Sequence, residues 1–262
     1  MNQVDLDSSP TLCLKPWQWA HVAWPAFIAA SAVALIPFAS TTYPYAHRFV
    51  AKLPLDSHFA TANEYTSLTS IATAVLLIWI LKPQVRRLLP YLIVALLLAG
   101  AFNTALKQLA GRCRPEWSVA INQKRIAQLE KTDPQIDAAI ARTDRWFWFT
   151  ANRPYFKDRY ASFPSGHACG AFAMAAFLSI LFPQARIIWY MAAVSCALAR
   201  VRYDRHFPED VMFGGALGWI TAQWVFSWPW PMRMESWLRN MTSGRRPPEL
   251  HLNAGRAGEE TS

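Results

Sequence analysis

The sequence predicts an all-α polytopic membrane protein: six transmembrane helices, with an external helical loop between the third and fourth. Three observations carry this expectation. Charged residues make up only 16% of the 262 residues, whereas a soluble domain carries about a quarter. The hydrophobic share is 53%. The charges are also clustered, and the runs between them approach the roughly 20 residues of a bilayer-crossing helix. This composition excludes a disordered chain, a collagen-like repeat and a small disulfide scaffold, and it argues against an ordinary cytosolic enzyme.

The spans follow from the charge-free runs. No Asp, Glu, Lys or Arg occurs over Val22–Ala46, Tyr65–Leu81, Leu88–Leu106, Tyr160–Ala185 or Val211–Met232. A shorter run, Ile187–Ala199, is closed by Arg186 and Arg200. It reaches span length if Arg186 snorkels to the headgroups. The expected spans are therefore about 21–40, 64–81, 88–106, 164–182, 184–202 and 209–228. Helices are expected because strands of a membrane barrel alternate polar with apolar over about 10 residues. The run Leu92-Ile93-Val94-Ala95-Leu96-Leu97-Leu98-Ala99 does not alternate. The first span does not read as a cleaved signal peptide, since its leader holds Asp5 and Asp7 against Lys15.

Orientation follows from the positive-inside rule. The short loop Lys82–Arg87 holds three positive charges, and the C-terminal tail adds Arg233, Arg239, Arg245, Arg246 and Arg256. Both are expected on the cytoplasmic side of the cell (inner) membrane, as are both termini. Loops 41–63, 107–163 and 203–208 are then external. Residues 1–232 form the six-span domain, and 233–262 a cytoplasmic, disordered tail. The run from Trp224 to Trp237 reads as an interfacial aromatic belt. Within the long loop, 120–142 reads as a surface helix and Trp146-Phe147-Trp148-Phe149 as a headgroup-dipping segment. Cys13, Cys113, Cys169 and Cys196 are expected as buried thiols, although a Cys169–Cys196 bridge is geometrically possible. No metal-ligating constellation is evident, and no cofactor or nucleic-acid partner is expected.

Polar residues collect at one membrane face. The third span exits at Lys107, with Arg112, Arg114 and Pro115 just after. The fourth enters at Pro164-Ser165-Gly166-His167. The fifth exits at Arg200, and the sixth enters after His206 and at Asp210. Ionisable groups at a membrane edge are costly and usually functional. Cations with few acids nearby suit an anion, and arginine presents a planar fork that fits phosphate. Lys107 and Arg114 would share a face if their helix continued past Gly111. Pro164 suggests the first turn of a helix whose N–H groups face an oxyanion, with Gly166 allowing close approach. His206 and Asp210, four apart, can pair carboxylate with ring N–H and leave the other nitrogen to attack. His167 can then protonate the leaving oxygen.

Lys107-(six residues)-Arg114-Pro115, Pro164-Ser165-Gly166-His167 and Arg200-(five residues)-His206-(three residues)-Asp210 resemble, in that order, the three signature motifs of the type 2 phosphatidic acid phosphatase superfamily. That superfamily includes membrane lipid phosphate phosphatases, bacterial acid phosphatases and vanadium haloperoxidases. Ala199 departs from the family pattern, which usually has Ser before the Arg. The resemblance implies a metal-independent phosphatase acting on a lipid phosphomonoester or pyrophosphate. Candidate substrates are undecaprenyl pyrophosphate, phosphatidylglycerol phosphate, phosphatidic acid and lipid A. It implies His206 as a nucleophile that forms a phosphohistidine, Asp210 as its orienting partner and His167 as general acid and then base. Lys107, Arg114, Ser165, Gly166 and Arg200 are implied to hold the phosphoryl oxygens.

Two other classes remain open from sequence: a phosphotransferase that uses the same phosphohistidine, and a non-catalytic polytopic protein. Outside the motifs, plainer roles are expected. His21, His47, His58 and His251 read as interfacial residues. Lys82, Arg86, Arg87 and Arg233 read as topology anchors. Gly214, Gly215 and Gly218 read as close helix packing. Arg112, Arg202 and Arg205 add to the anion field or are solvated.

Overall fold

A computed structural model describes residues 19–117 and 158–228. Those residues form eight α-helices and contain no strand. They are α1 (Trp19–Leu35), α2 (Ala39–Ala51), α3 (Asp56–Asn63), α4 (Leu68–Leu81), α5 (Leu89–Ala110), α6 (Gly166–Leu181), α7 (Arg186–Arg202) and α8 (Pro208–Phe226). The expected helix at 120–142, the aromatic segment at 146–149 and the tail at 233–262 lie outside the described residues, as do Cys13 and His251.

The charge-free runs locate the helices, but two runs are bent. Val22–Phe38 and Thr42–Ala51 meet at 108°, and Asp56–Thr66 and Thr69–Leu81 meet at 71°. The first break falls at the 3₁₀ turn Ile36–Phe38, where Pro37 removes a backbone donor. The second falls at Ser67, whose hydroxyl accepts from the Ser70 N–H at 3.2 Å and starts α4 afresh. The stretch 41–63, expected as an external loop, therefore contains most of α2 and all of α3.

Among the described residues one helix, α5, is long and apolar enough to cross a membrane, and the total rises to three if each bent pair counts as one span. α6 and α7, with 16 and 17 residues, rise roughly 24–26 Å, short of a hydrocarbon core of about 30 Å. Six separate crossing helices are thus not seen among the described residues by this measure.

The packing centre is α6. Ala168, Ala171, Ala173, Ala175 and Ala176 are buried along it, so neighbouring backbones approach closely. Its most extensive contacts are with α8 and α7, then α5. Gly214 and Gly218 of α8 face it. A Cβ at Gly218 would stand 1.9 Å from the Cys169 carbonyl oxygen. The expected role of these glycines in close packing holds. Below this contact, Leu92 and Ala95 of α5, Met174 and Phe177 of α6, and Val225 and Phe226 of α8 form the largest apolar cluster. Outside it, Trp24, Phe27, Leu97 and Ile187 are more than 60% exposed. Cys113, Cys169 and Cys196 are buried free thiols; the possible Cys169–Cys196 bridge is not formed.

Candidate active site

Four chain segments meet at one end of the helices: the C-terminus of α5, the N-terminus of α6, the C-terminus of α7 and the turn into α8. Lys107 lies in the last turn of α5. The helix stops at Gly111, whose φ of 59° is left-handed and whose N–H bonds the Lys107 carbonyl at 3.0 Å. The expectation that Lys107 and Arg114 share one helical face is therefore corrected. Arg114 sits beyond the helix, just before the 3₁₀ turn Pro115–Trp117.

Ser165 is the N-cap of α6 and accepts from the Ala168 N–H at 3.4 Å. Pro164 precedes the cap, rather than lying in the first turn as expected. Gly166 opens the helix, and a Cβ there would stand 3.2 Å from Asn103 Oδ1 and 3.7 Å from Lys107 Nζ. With no side chain at Gly166 the Lys107 ammonium fits beside the helix start, where it and the positive end of the helix can meet the same anion. Asn103 is buried and donates to the Pro164 carbonyl at 3.3 Å, tying α5 to this corner.

Lys107, Arg114 and Arg200 all act electrostatically on His167, and Lys107 and Arg200 also act on His206. The structure thus brings the three motifs into one cluster. Arg200 donates from Nη1 to Asn63 Oδ1 at 2.5 Å, and Arg114 donates from Nη2 to Asp158 Oδ1 at 2.6 Å. The buried Nε groups of both arginines have no acceptor among the described residues.

His206 precedes α8 and is 1% exposed. Burial pushes its ring down to about 3, against the opposing pull of Asp210. It is therefore neutral at ordinary pH. The expected bond from ring to carboxylate is not made: Nδ1 is 3.9 Å from Asp210 Oδ2, too far for a hydrogen bond. Nδ1 lies instead 2.6 Å from the Ser162 carbonyl oxygen.

Asp210 is bound elsewhere. Its carboxylate accepts from Arg112 Nη1, from Ser162 Oγ and from the Phe207 N–H, the last at 3.0 Å. Arg112 also donates from Nη2 to Glu209 Oε1 at 2.6 Å. Arg112, Glu209 and Asp210 are all almost fully buried.

Four residues that contact the cluster lay outside the sequence reading: Ser162, Asn63, Asn103 and Glu209. Arg112, Arg202 and Arg205 were expected as a diffuse anion field or as solvated groups, and each is paired. Arg202 bonds Asp56, and Arg205 donates to Glu116 at 2.9 Å. His47, expected as a plain interfacial residue, reaches the Arg202 carbonyl at 3.2 Å and lies 3.3 Å from Asp204. The buried Tyr43 hydroxyl also donates to Asp204. Among the described residues no group of three His, Cys, Asp or Glu is placed to hold a metal ion.

Lipid A 1-phosphatase of Rhizobium etli is 37% identical over 59 residues, which cover 22% of this chain and 25% of that protein. Lipid A 1-phosphatase of Rhizobium johnstonii is 37% identical over 59 residues, 22% of this chain and 24% of that protein. The chain thus matches about a quarter of the length of these curated relatives. No solved structure gives a significant match. The family model of the PAP2 superfamily matches residues 88–233. That stretch is more than half of the chain and contains all three motifs, and the chain belongs to the PAP2 superfamily.

Proposed function

We propose that this protein is an integral membrane lipid phosphate phosphatase working through a phosphohistidine. The observation that carries the reading is the convergence of Lys107, Arg114 and Arg200 on His167, and of Lys107 and Arg200 on a neutral, buried His206. Cations without enough carboxylates, next to an unprotonated imidazole, suit a phosphoryl group that is to be attacked.

In the proposed reaction Lys107, Arg114 and Arg200 hold the phosphoryl oxygens, together with the Ser165 and Gly166 corner at the start of α6. The His206 nitrogen attacks phosphorus, and an N–P bond forms as the bond to the lipid oxygen breaks. His167 gives its proton to that oxygen. Water then attacks the phosphohistidine while His167 takes a proton from it, the N–P bond breaks, and phosphate leaves. Asp210 holds the His206 turn to the start of α8. Fixed cations supply the charge stabilisation, so the reaction needs no metal.

Because the two relatives are lipid A 1-phosphatases, the 1-phosphate of lipid A is the first substrate to test. Undecaprenyl pyrophosphate, phosphatidylglycerol phosphate and phosphatidic acid follow. The exposed apolar residues on α1, α5 and α7 suit lipid contact. We further place residues 1–232 in the inner membrane as a six-span domain, its shorter and bent helices crossing a locally thinned bilayer. The site then faces the periplasm and both termini the cytoplasm.

The test is phosphate release from those four lipids by the purified full chain, with EDTA present, for wild type and His206→Ala. Release by wild type alone is expected. Equal release by both proteins contradicts the reading. Label passing from lipid to a second lipid, rather than to water, would make the protein a phosphotransferase.

A further inference from the structure

We propose that the Asp158 carboxylate competes with the phosphoryl group for Arg114 and withdraws to Arg205 when phosphate arrives, so that this exchange sets how tightly the site holds phosphate. This rests on the reading of Arg114 as a residue that holds the phosphoryl oxygens.

Asp158 opens the 3₁₀ turn Asp158–Tyr160. The backbone of that turn is anchored. Tyr160 and Ser162 are buried, the Ala161 N–H donates to the Asp158 carbonyl at 3.1 Å, and the Ser162 N–H donates to the Arg112 carbonyl at 3.0 Å. The Asp158 side chain is 71% exposed, whereas that of Arg114 is 8% exposed. A fixed turn thus presents a solvent-facing carboxylate to a buried cation. Oδ1 accepts from Arg114 Nη2 at 2.6 Å, and Oδ2 lies 3.6 Å from Arg205 Nη1. The two carboxylates that act on Lys107 are Asp158 and Asp210. Asp210 is buried and bound to Arg112, but Asp158 meets the site from the solvent side. It acts on Arg200 as well.

A phosphate monoester carries about 1.5–2 negative charges at neutral pH and three strong acceptor oxygens. A carboxylate has one charge and two oxygens. The phosphate therefore displaces a carboxylate whose own pairing is screened by water. A carboxylate left on Arg114 would face the phosphate oxygens with like charge. Arg205 gives it somewhere to go. Its guanidinium is 40% exposed and already within ion-pair distance of Oδ2. Glu116 accepts from the same Nη1 at 2.9 Å and holds it in place. Rotation of the Asp158 side chain thus exchanges one arginine for the other while the turn stays fixed. When phosphate leaves, the carboxylate returns to Arg114 and opposes rebinding. The apparent affinity for phosphate falls in proportion to the fraction of molecules in which Arg114 is already taken.

The experiment titrates the full chain in nanodiscs with inorganic orthophosphate, followed by ³¹P NMR, and measures KM on the lipid phosphates named above. Asp158→Asn keeps the shape and removes the charge. It is expected to bind orthophosphate about tenfold more tightly than wild type, as when Asp158 holds Arg114 in roughly nine molecules of ten, and to lower KM. Arg205→Gln leaves Asp158 with Arg114 alone and is expected to weaken phosphate binding several-fold. Added to Asp158→Asn, the same change should have little effect, because no carboxylate remains to withdraw. Unchanged or weaker binding by Asp158→Asn, the result of a merely structural ion pair, would overturn the proposal. An equal loss from Arg205→Gln in both backgrounds would overturn it too, since that is simple loss of positive charge. So would phosphate binding to none of the proteins. If Arg205→Gln does not fold, the exposed Asp158→Asn decides alone. Tighter phosphate binding by Asp158→Asn without turnover of any of the four lipids would uphold the exchange and overturn the phosphatase reading.

Discussion

Gly214 of α8 presses on the Ser165 cap so closely that a Cβ at Gly214 would stand 2.4 Å from the Ser165 carbonyl oxygen. The contact joins the third motif to the second. It fixes the start of α6, and with it Gly166 and His167, against the helix that follows His206. Gly214→Ala must push these backbones apart. A loss of about 1–3 kcal/mol is expected from overpacking, together with a drop in kcat of at least about tenfold, since small misplacements of reacting groups are costly. Gly100→Ala is the control. Nothing lies within 4 Å of a Cβ there, and a mid-helix alanine is favoured by roughly 1 kcal/mol. Thermal melting and initial rates of both variants check the contrast.

Arg200 and Asn63 give a second prediction. Arg200→Ala and Lys107→Ala should each lower turnover on the order of 10²–10³-fold, the usual cost of one donor to a developing charge. Asn63 only steers Arg200, through the 2.5 Å bond between them. Asn63→Ala should therefore cost about 10–100-fold. The Asn63→Ala, Arg200→Ala double variant should be no worse than Arg200→Ala, because the two act as one unit. Additive losses in kcat/KM would contradict the coupling.

A third prediction concerns pH. The His206 ring is held near 3 in the folded protein, below its ordinary 6.5. Between those values the unfolded chain binds a proton that the folded chain refuses, so stability rises with pH across that window. The contribution of this group is complete above about 6.5 and lost as pH falls toward 3. Its slope reaches at most about 1.4 kcal/mol per pH unit. Denaturant melts of wild type and His206→Gln from pH 4 to 7 check this. The variant should have the shallower dependence.

Metal removal gives a fourth. Because fixed cations supply the charge stabilisation in the proposed reaction, dialysis against EDTA should leave turnover unchanged. Orthovanadate, which resembles a phosphoryl group in transit, should inhibit competitively. Loss of activity in EDTA with recovery on adding a divalent cation would refute that part of the account.

Much of this was legible in the sequence, for a physical reason. Long charge-free runs announce apolar helices, and the ends of α5, α6 and α8 fall within a few residues of the expected spans. The bend between α1 and α2 was not legible, because Pro37 lies inside an unbroken apolar run and composition does not distinguish a kink from a crossing. The stop at Gly111 was in principle readable, since glycine in the left-handed conformation commonly ends helices. The cations at one rim were readable from their order along the chain. Their partners were not: Arg112 meets Glu209 and Asp210 across 97 and 98 positions, and only the fold decides which cation is neutralised. The contact of His206 with Ser162 was least visible, since it is made to a backbone oxygen that every residue carries.

The most direct test of the central claim is to trap the covalent intermediate. Rapid quenching of the full chain with a ³²P-labelled lipid phosphate should yield an acid-labile, base-stable phosphoprotein. With a lipid whose leaving group needs no proton, the label should accumulate in His167→Gln, which lacks the base for hydrolysis, and should map to His206. Steady turnover of that lipid with no protein-bound label in either protein, or label unaffected by His206→Gln, would contradict the account.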